Sequence, residues 1–318
     1  MQWCVRLCLD KNHQPVPFDT VKKILIIGGG SIGERHLRCF LKTGRATVEL
    51  CEISQEIRDR LKGEYQIEAT YTDLDEAMAA GPDAAVICVP AHLHIPFADK
   101  LMKKGIPQLI EKPLSTSIED ATDFVQAAES SGLPMAVAFT YRSHPALIAM
   151  QEAVSSGRFG RVLQVVTVAG QHFPFYRPAY RDIYFAKRET GGGLIQDMFP
   201  HLINAVEWFA GPLTSATADA DNLVLHDVEV EDSLNVIGRH GDILASYSMN
   251  MHQAPFECTI TVICEGGTAR FEYHHCHWMS CIAPGENWEV EETFSLERDD
   301  LYINQAVTFL NQLESGTA

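Results

Sequence analysis

Apolar and polar positions first fall into a repeated alternation along the chain. Ile24, Leu25, Ile26 and Ile27 form an apolar run that ends in Gly28-Gly29-Gly30-Ser31-Ile32-Gly33. A helical pattern follows, with Ile32, Leu37, Phe40 and Leu41 inward and Gly44 as its stop. Residues 46–51 read as a second strand, and Ser54 as the N-cap of a helix that carries Ile57 and Leu61 and ends at Gly63. Short strands near Ile67 and at 84–89 flank a helix around 74–80. Residues 94–104 read as a helix and Leu109-Ile110 as a strand. Ser117-x-x-Asp120 resembles a capping box opening a helix to Ser131, and 135–139 supplies one more strand. Strand, helix, strand at this spacing predicts a parallel, doubly wound α/β sheet with helices on both faces.

The texture changes after Tyr141. Residues 144–157 read as one connecting helix, followed by β-rich runs at 162–168, 215–221, 232–238, 243–249, 258–264 and 268–273. Such runs predict a mostly antiparallel sheet in a separate C-terminal α/β domain. A helical segment at 193–209 interrupts them. The resulting division is an N-terminal extension at 1–20, a first domain at 21–143 and a second at 144–318, with no internal repeat.

Composition sharpens this picture without altering it. The chain has 318 residues, more than one core usually serves, so two domains are the default. It is 46% hydrophobic and 21% charged, as soluble globular proteins are. No run approaches a membrane span, and the first twenty residues lack the marks of a signal peptide. A formal net charge of −17 argues against nucleic acid or an anionic membrane as partner. The nine cysteines are odd in number and scattered, which predicts reduced thiols in a cytoplasmic protein.

Candidate chemistry gathers at strand ends. Gly28, Gly30 and Gly33 fit G-x-G-x-x-G between a strand and a helix, the turn that receives a pyrophosphate on the helix N-terminus, here at Ser31 and Ile32. Such turns also occur with no ligand. Glu52 stands at the end of the second strand, nineteen residues past Gly33, where a carboxylate bonds ribose hydroxyls and repels a 2′-phosphate. NAD is therefore expected over NADP, a preference tempered by Arg58 and Arg60 nearby. Two more segments follow strands: Val89-Pro90-Ala91-His92-Leu93-His94 and Glu111-Lys112-Pro113, the latter holding a lysine suited to act as a fixed cation or proton carrier. In Gly191-Gly192-Gly193-Leu194-Ile195-Gln196-Asp197-Met198-Phe199-Pro200-His201, Asp197 and His201 lie four apart and would share a helical face. A histidine oriented by an acid can take a proton from an alcohol.

In this order, GGGSIGERH, VPAHLH, EKP and GGGLIQDMFPHLIN resemble the glucose–fructose oxidoreductase, inositol dehydrogenase and MocA-type sugar dehydrogenases over roughly residues 22–212. The resemblance implies an N-terminal Rossmann domain, then an α/β domain with a large open antiparallel sheet used for dimer or tetramer formation. It implies catalytic roles for Lys112, Asp197 and His201, with Tyr141 and Arg142 facing nicotinamide and substrate. Pro90, His94 and Glu111 would complete the cofactor site. The implied reaction is hydride transfer between a secondary hydroxyl of a sugar, polyol or sugar derivative and NAD. His201 would be the base, oriented by Asp197, and Lys112 would stabilise the alkoxide.

Some positions depart from the pattern. Val89 and Ala91 replace a threonine and an asparagine, Phe199 stands where glycine is usual, and Asn204 replaces an acid. Pro200 is tolerable only in a helix's first turn. The aromatic and arginine-rich stretch at 172–188 fits a loop over the substrate, where Tyr176 would stack on a sugar ring and Arg177 and Arg181 would favour an anionic one. It equally fits a packed irregular loop. The histidine-rich run at 273–281 reads as a sheet strand with His275 and His277 on one face, and no metal is expected. The chain stops soon after a helix at 301–313, so a short or truncated member is expected. Two rival readings remain: a sensor that holds NAD without turnover, and an enzyme that uses NAD transiently for elimination or glycoside cleavage.

Overall fold

The computed structural model describes residues 21–316, so the extension expected at 1–20 lies outside the described residues. Strands β1 (Lys22–Ile27), β2 (Ala46–Cys51), β3 (Thr70–Tyr71), β4 (Ala84–Ile87), β5 (Gln108–Ile110) and β6 (Met135–Val137) form an all-parallel sheet in the order β3-β2-β1-β4-β5-β6. Between them run α1 (Ser31–Lys42), α2 (Gln55–Glu64), α3 (Leu74–Ala79), α4 (His94–Lys103) and α5 (Glu119–Ser131). Side-chain alternation along β1 explains both cores. Ile24 and Ile26 pack with Leu37 and Phe40 on one face, while Leu25 and Ile27 pack with Ala98 and Leu101 on the other. The order reverses between β1 and β4, which opens a crevice beyond the strands' carboxyl ends, where the glycine turn lies.

After α6 (Pro145–Ser155) comes β7 (Val162–His172), then a long connection carrying the short helices α7 (Phe173–Tyr176) and α8 (Leu194–Asp197) and the longer α9 (Phe199–Ala210). Strands β8 (Ser215–Asp221), β9 (Ser233–His240), β10 (Ile243–Asn250), β11 (His252–Cys264), β12 (Gly267–Glu272), β13 (His277–Cys281) and β14 (Glu289–Thr293) complete an eight-stranded sheet, ordered β14-β13-β12-β11-β7-β10-β9-β8. Only β7 and β10 pair in parallel. Leu147 and Met150 of α6 and Leu202 and Val206 of α9 cover one face, against Val165, Val236, Ile260 and Phe271.

The last helix, α10 (Asp300–Ser315), returns to the first sheet, where Ala306, Phe309 and Leu310 join the core of Leu37 and Phe40. Asp299, just before it, receives both Nε and Nη2 of Arg38 at 2.7 Å and Nζ of Lys42 at 3.1 Å. These cations hold its carboxyl well below the usual range, against the opposing effect of burial.

Several local expectations are corrected. Ile67 lies outside any strand, and the third strand is Thr70–Tyr71. Gly63 lies inside α2 instead of ending it, although Ser54 does cap that helix by accepting the Ile57 N–H at 3.4 Å. No side chain caps α5. Ser117 takes the Glu119 N–H at 3.3 Å from outside the helix. The histidine-rich run is not one strand: residues 273–275 form a 3₁₀ turn before β13.

Candidate active site

The glycine turn is shaped from three directions. Gly28 has φ +94°, and a Cβ there would lie 2.7 Å from the Cys88 carbonyl oxygen. A Cβ at Gly33 would lie 1.8 Å from the Gly28 oxygen, so α1 and β1 can approach only through glycine. Around Gly30 the space is open, with no atom within 4 Å of a Cβ position. Gly30 also precedes α1 without any side-chain cap, leaving the first-turn N–H groups of Ser31 and Ile32 as donors. An open cradle at a helix N-terminus fits a pyrophosphate.

Glu52 reaches this turn from β2. Its carboxylate accepts the Gly29 N–H at 2.7 Å and the Ser54 N–H at 2.8 Å, so it fixes the loop while keeping further lone pairs for a ribose. The neighbouring arginines are turned elsewhere. Arg58 bonds the Glu52 carbonyl and Arg60 pairs with Glu34 at 2.8 Å.

On the other side of the crevice, β4 and β5 deliver the two segments that follow them. His94 is buried at the start of α4, with Nδ1 2.7 Å from the Pro113 carbonyl oxygen and Nε2 2.8 Å from that of Val89. It therefore ties the Pro90 turn to the segment after β5. The Lys112–Pro113 bond is cis. Glu111 is buried, with one carboxylate oxygen 2.7 Å from His36 Nε2 and the other accepting the Lys112 N–H at 3.1 Å. Burial pushes its carboxyl up, but the His36 hydrogen bond and the nearby Lys112 ammonium outweigh that and hold it below the usual range.

Lys112 then reaches across 85 positions of sequence to α8. Its Nζ donates to Asp197 Oδ1 at 2.5 Å and to the Asp197 carbonyl at 2.9 Å. Tyr184, from the loop after β7, donates its hydroxyl to the same Oδ1 at 3.0 Å. Burial and the Asp197 carboxylate push the Tyr184 phenol far up, so it remains a donor. Residues 191–193 bring Asp197 here by a route that only glycine permits: a Cβ on Gly192 would lie 2.3 Å from the Phe185 oxygen. Glu231 accepts the Ile195 N–H at 2.8 Å and so holds the first turn of α8.

His201 lies on α9. Its ring stacks on Tyr141 at 5.3 Å and meets Phe139 edge-on at 6.0 Å, and its Nδ1 is buried without a hydrogen-bond partner. Burial pulls its pKa down to about 4; Lys112 acts in the same direction, while Asp197 and Glu111 oppose it. The imidazole is neutral at pH 7.

Lys112, Asp197 and His201 thus converge, but not as one helical face. Pro200 has no N–H, so the helix breaks at Met198 and restarts at Phe199, with Pro200 in its first turn. Asp197 gives its carboxylate to Lys112 and Tyr184, which corrects the expectation that it orients the imidazole. Phe199 packs edge-on against Tyr247 at 5.2 Å. Tyr141 stacks on the His201 ring. Arg142 does not join the group: it bonds the Asn204 side chain at 2.8 Å and carbonyl at 3.0 Å and lies over Trp208. Arg181 is held by Asp227 at 3.3 Å and by the His226 carbonyl. Arg177 makes a long bond to the Tyr176 carbonyl, and both side chains are exposed. In the 172–188 stretch, Phe173, Tyr180 and Phe185 are buried as in a packed loop, while Tyr176 and Tyr184 are exposed. Tyr184 was missed because nothing in the sequence separates it from its aromatic neighbours.

A sequence model described as an oxidoreductase family with an NAD-binding Rossmann fold matches residues 22–139, and the GFO/IDH/MocA C-terminal domain matches residues 147–270. The chain belongs to the GFO/IDH/MocA family. It is 24% identical over 302 residues to inositol 2-dehydrogenase of Rhizobium meliloti, covering 92% of this chain and 88% of the relative. It is 26% identical over 235 residues to D-apiose dehydrogenase of Paraburkholderia graminis, covering 70% and 58%. Among solved structures, levoglucosan dehydrogenase in complex with NADH and levoglucosan superposes with a TM-score of 0.85 at 18% identity, over 93% of this chain and 90% of that one. The family member's fold is therefore a Rossmann domain followed by a large, mostly antiparallel sheet.

Proposed function

We propose that this chain is an NAD-dependent dehydrogenase acting on a secondary hydroxyl of a sugar, polyol or sugar derivative. The observation that carries this reading is the Lys112–Asp197 pair, with a buried, neutral His201 near enough to feel both charges, in a chain whose first strand ends in an open glycine cradle. NAD, when bound, exchanges the hydride. Gly30, Ser31 and Ile32 would hold its pyrophosphate and Glu52 its ribose; that carboxylate, with Arg58 and Arg60 engaged elsewhere, favours NAD over NADP.

The protein's own groups then handle the proton. Neutral His201 accepts it from the substrate hydroxyl. The Lys112 ammonium, held in place by Asp197, stabilises the negative charge growing on that oxygen. Tyr184 fixes Asp197 from the loop side. In the reverse direction, an imidazolium whose proton is this loosely held is a strong acid for an alkoxide. A screen of polyols, sugar acids and nucleotide sugars for NADH formation, with His201→Ala as control, tests the reading. Formation by the variant at the wild-type rate would overturn it.

The second sheet leaves Leu163, Ile237 and Leu244 exposed on its uncovered face, which suits association into dimers or tetramers, a state light scattering would read. The free thiols of the described cysteines, five of them buried, suit a reducing compartment such as the cytoplasm.

A further inference from the structure

The run Glu272-Tyr273-His274-His275-Cys276-His277 takes no part in the proposed chemistry, yet it concentrates metal-ligating side chains. As a strand it would alternate them between faces. Instead, residues 273–275 form a 3₁₀ turn, and Cys276 adopts the left-handed conformation at φ +50°, ψ +38°. That conformation is costly for a residue with a side chain, and here it folds the histidines around one carboxylate. Glu272 Oε2 lies 3.9 Å from His275 Nε2 and 3.1 Å from His277 Nε2. One ligand atom each from Glu272, His274 and His275 lies within 4.8 Å of the others.

We propose that this turn binds a divalent transition-metal ion of the zinc type through Glu272, His274 and His275. His277 supports the carboxylate by hydrogen bonding. Imidazole nitrogen with a single carboxylate suits zinc, cobalt or nickel, whereas magnesium and calcium require oxygen-rich shells. The donors must close to about 3.4 Å, the edge of a tetrahedron with bonds near 2.1 Å. His275 can supply that movement, because its side chain is 59% exposed. His274 must release the Cys258 N–H, which lies 3.3 Å from its Nδ1, a long bond of small cost. Arg270 opposes the ion from the other carboxylate oxygen, Oε1, at 3.8 Å, so micromolar affinity is expected rather than nanomolar. Tyr273, within the turn, stacks on Tyr141 at 5.3 Å, so a bound ion would also stiffen the aromatic stack behind His201.

Calorimetric titration of the full chain with zinc chloride tests this. One zinc per chain at micromolar affinity is expected, weakened about tenfold or more by His275→Ala and by Glu272→Gln, with no matching uptake of magnesium. Cobalt should give visible d–d absorption that His275→Ala abolishes. Thermal melts without added metal verify that both variants are folded. The proposal is overturned if the wild type takes up no zinc at micromolar concentration, or if the folded variants bind it as tightly as the wild type.

Discussion

His201 shows how one side chain's surroundings set its chemistry. Its pKa of about 4 follows mainly from loss of water, and the adjacent Lys112 charge adds to it. A positioned base contributes about 10²–10⁴ in rate. His201→Ala is therefore expected to lower kcat by that much while leaving NAD affinity, measured by fluorescence titration, nearly unchanged. The same pKa shapes the pH profile: the oxidation rate should not fall at the ordinary histidine value near 6.5 but only towards pH 4, as the imidazole takes up a proton. Tyr184→Phe removes a hydrogen bond to Asp197 and leaves the ring in place. A loss of kcat/KM of about fivefold to tenfold is expected, the worth of one net hydrogen bond near 1 kcal/mol. Steady-state kinetics would check this, and an unchanged rate would remove Tyr184 from the site.

At the level of elements, the β1–α1 turn was legible because each glycine answers a steric demand. Gly33 is excluded from any side chain by the Gly28 oxygen, whereas Gly30 faces open space. Gly33→Ala should therefore lower Tm or abolish folding. Gly30→Ala should fold normally and raise the KM for NAD, because the methyl group fills the cradle. Calorimetry and NAD titration separate the two outcomes. The parallel sheet and the separate antiparallel sheet are readable from the alternation of elements, whereas a shared site for Lys112 and Asp197 follows only from the family resemblance. The break at Met198 is not readable, because the apolar periodicity of residues 193–209 runs on past Pro200. Nor is β14, which no strand pattern marks; β13 falls within the strand expected at 273–281, but the turn at 273–275 is not legible, since strand alternation gives no sign of a left-handed residue such as Cys276. The partners of Arg142 and Arg181 depend on Asn204 and Asp227, tertiary neighbours that no spacing rule supplies.

Across the whole molecule, burying histidines has a cost in acid. His144, at the start of α6, is fully buried and its pKa, like that of His201, is pulled down to about 4 by loss of water. In the unfolded chain both would titrate near 6.5. Between pH 6.5 and 4 the unfolded state therefore binds protons that the folded state refuses, so stability falls as the pH falls and levels off for these groups below pH 4. Each group accounts for about 3 kcal/mol over that window, a large share of a typical domain's stability. Denaturant melts from pH 7 to pH 4 should show this decline, and a variant retaining one of the two histidines should lose roughly half of the slope. His144→Gln is the informative choice: His144 packs against Phe271 and Tyr273 and has no part in the proposed proton transfer, so a flatter pH dependence with catalysis retained would assign the acid sensitivity to burial and not to the active site.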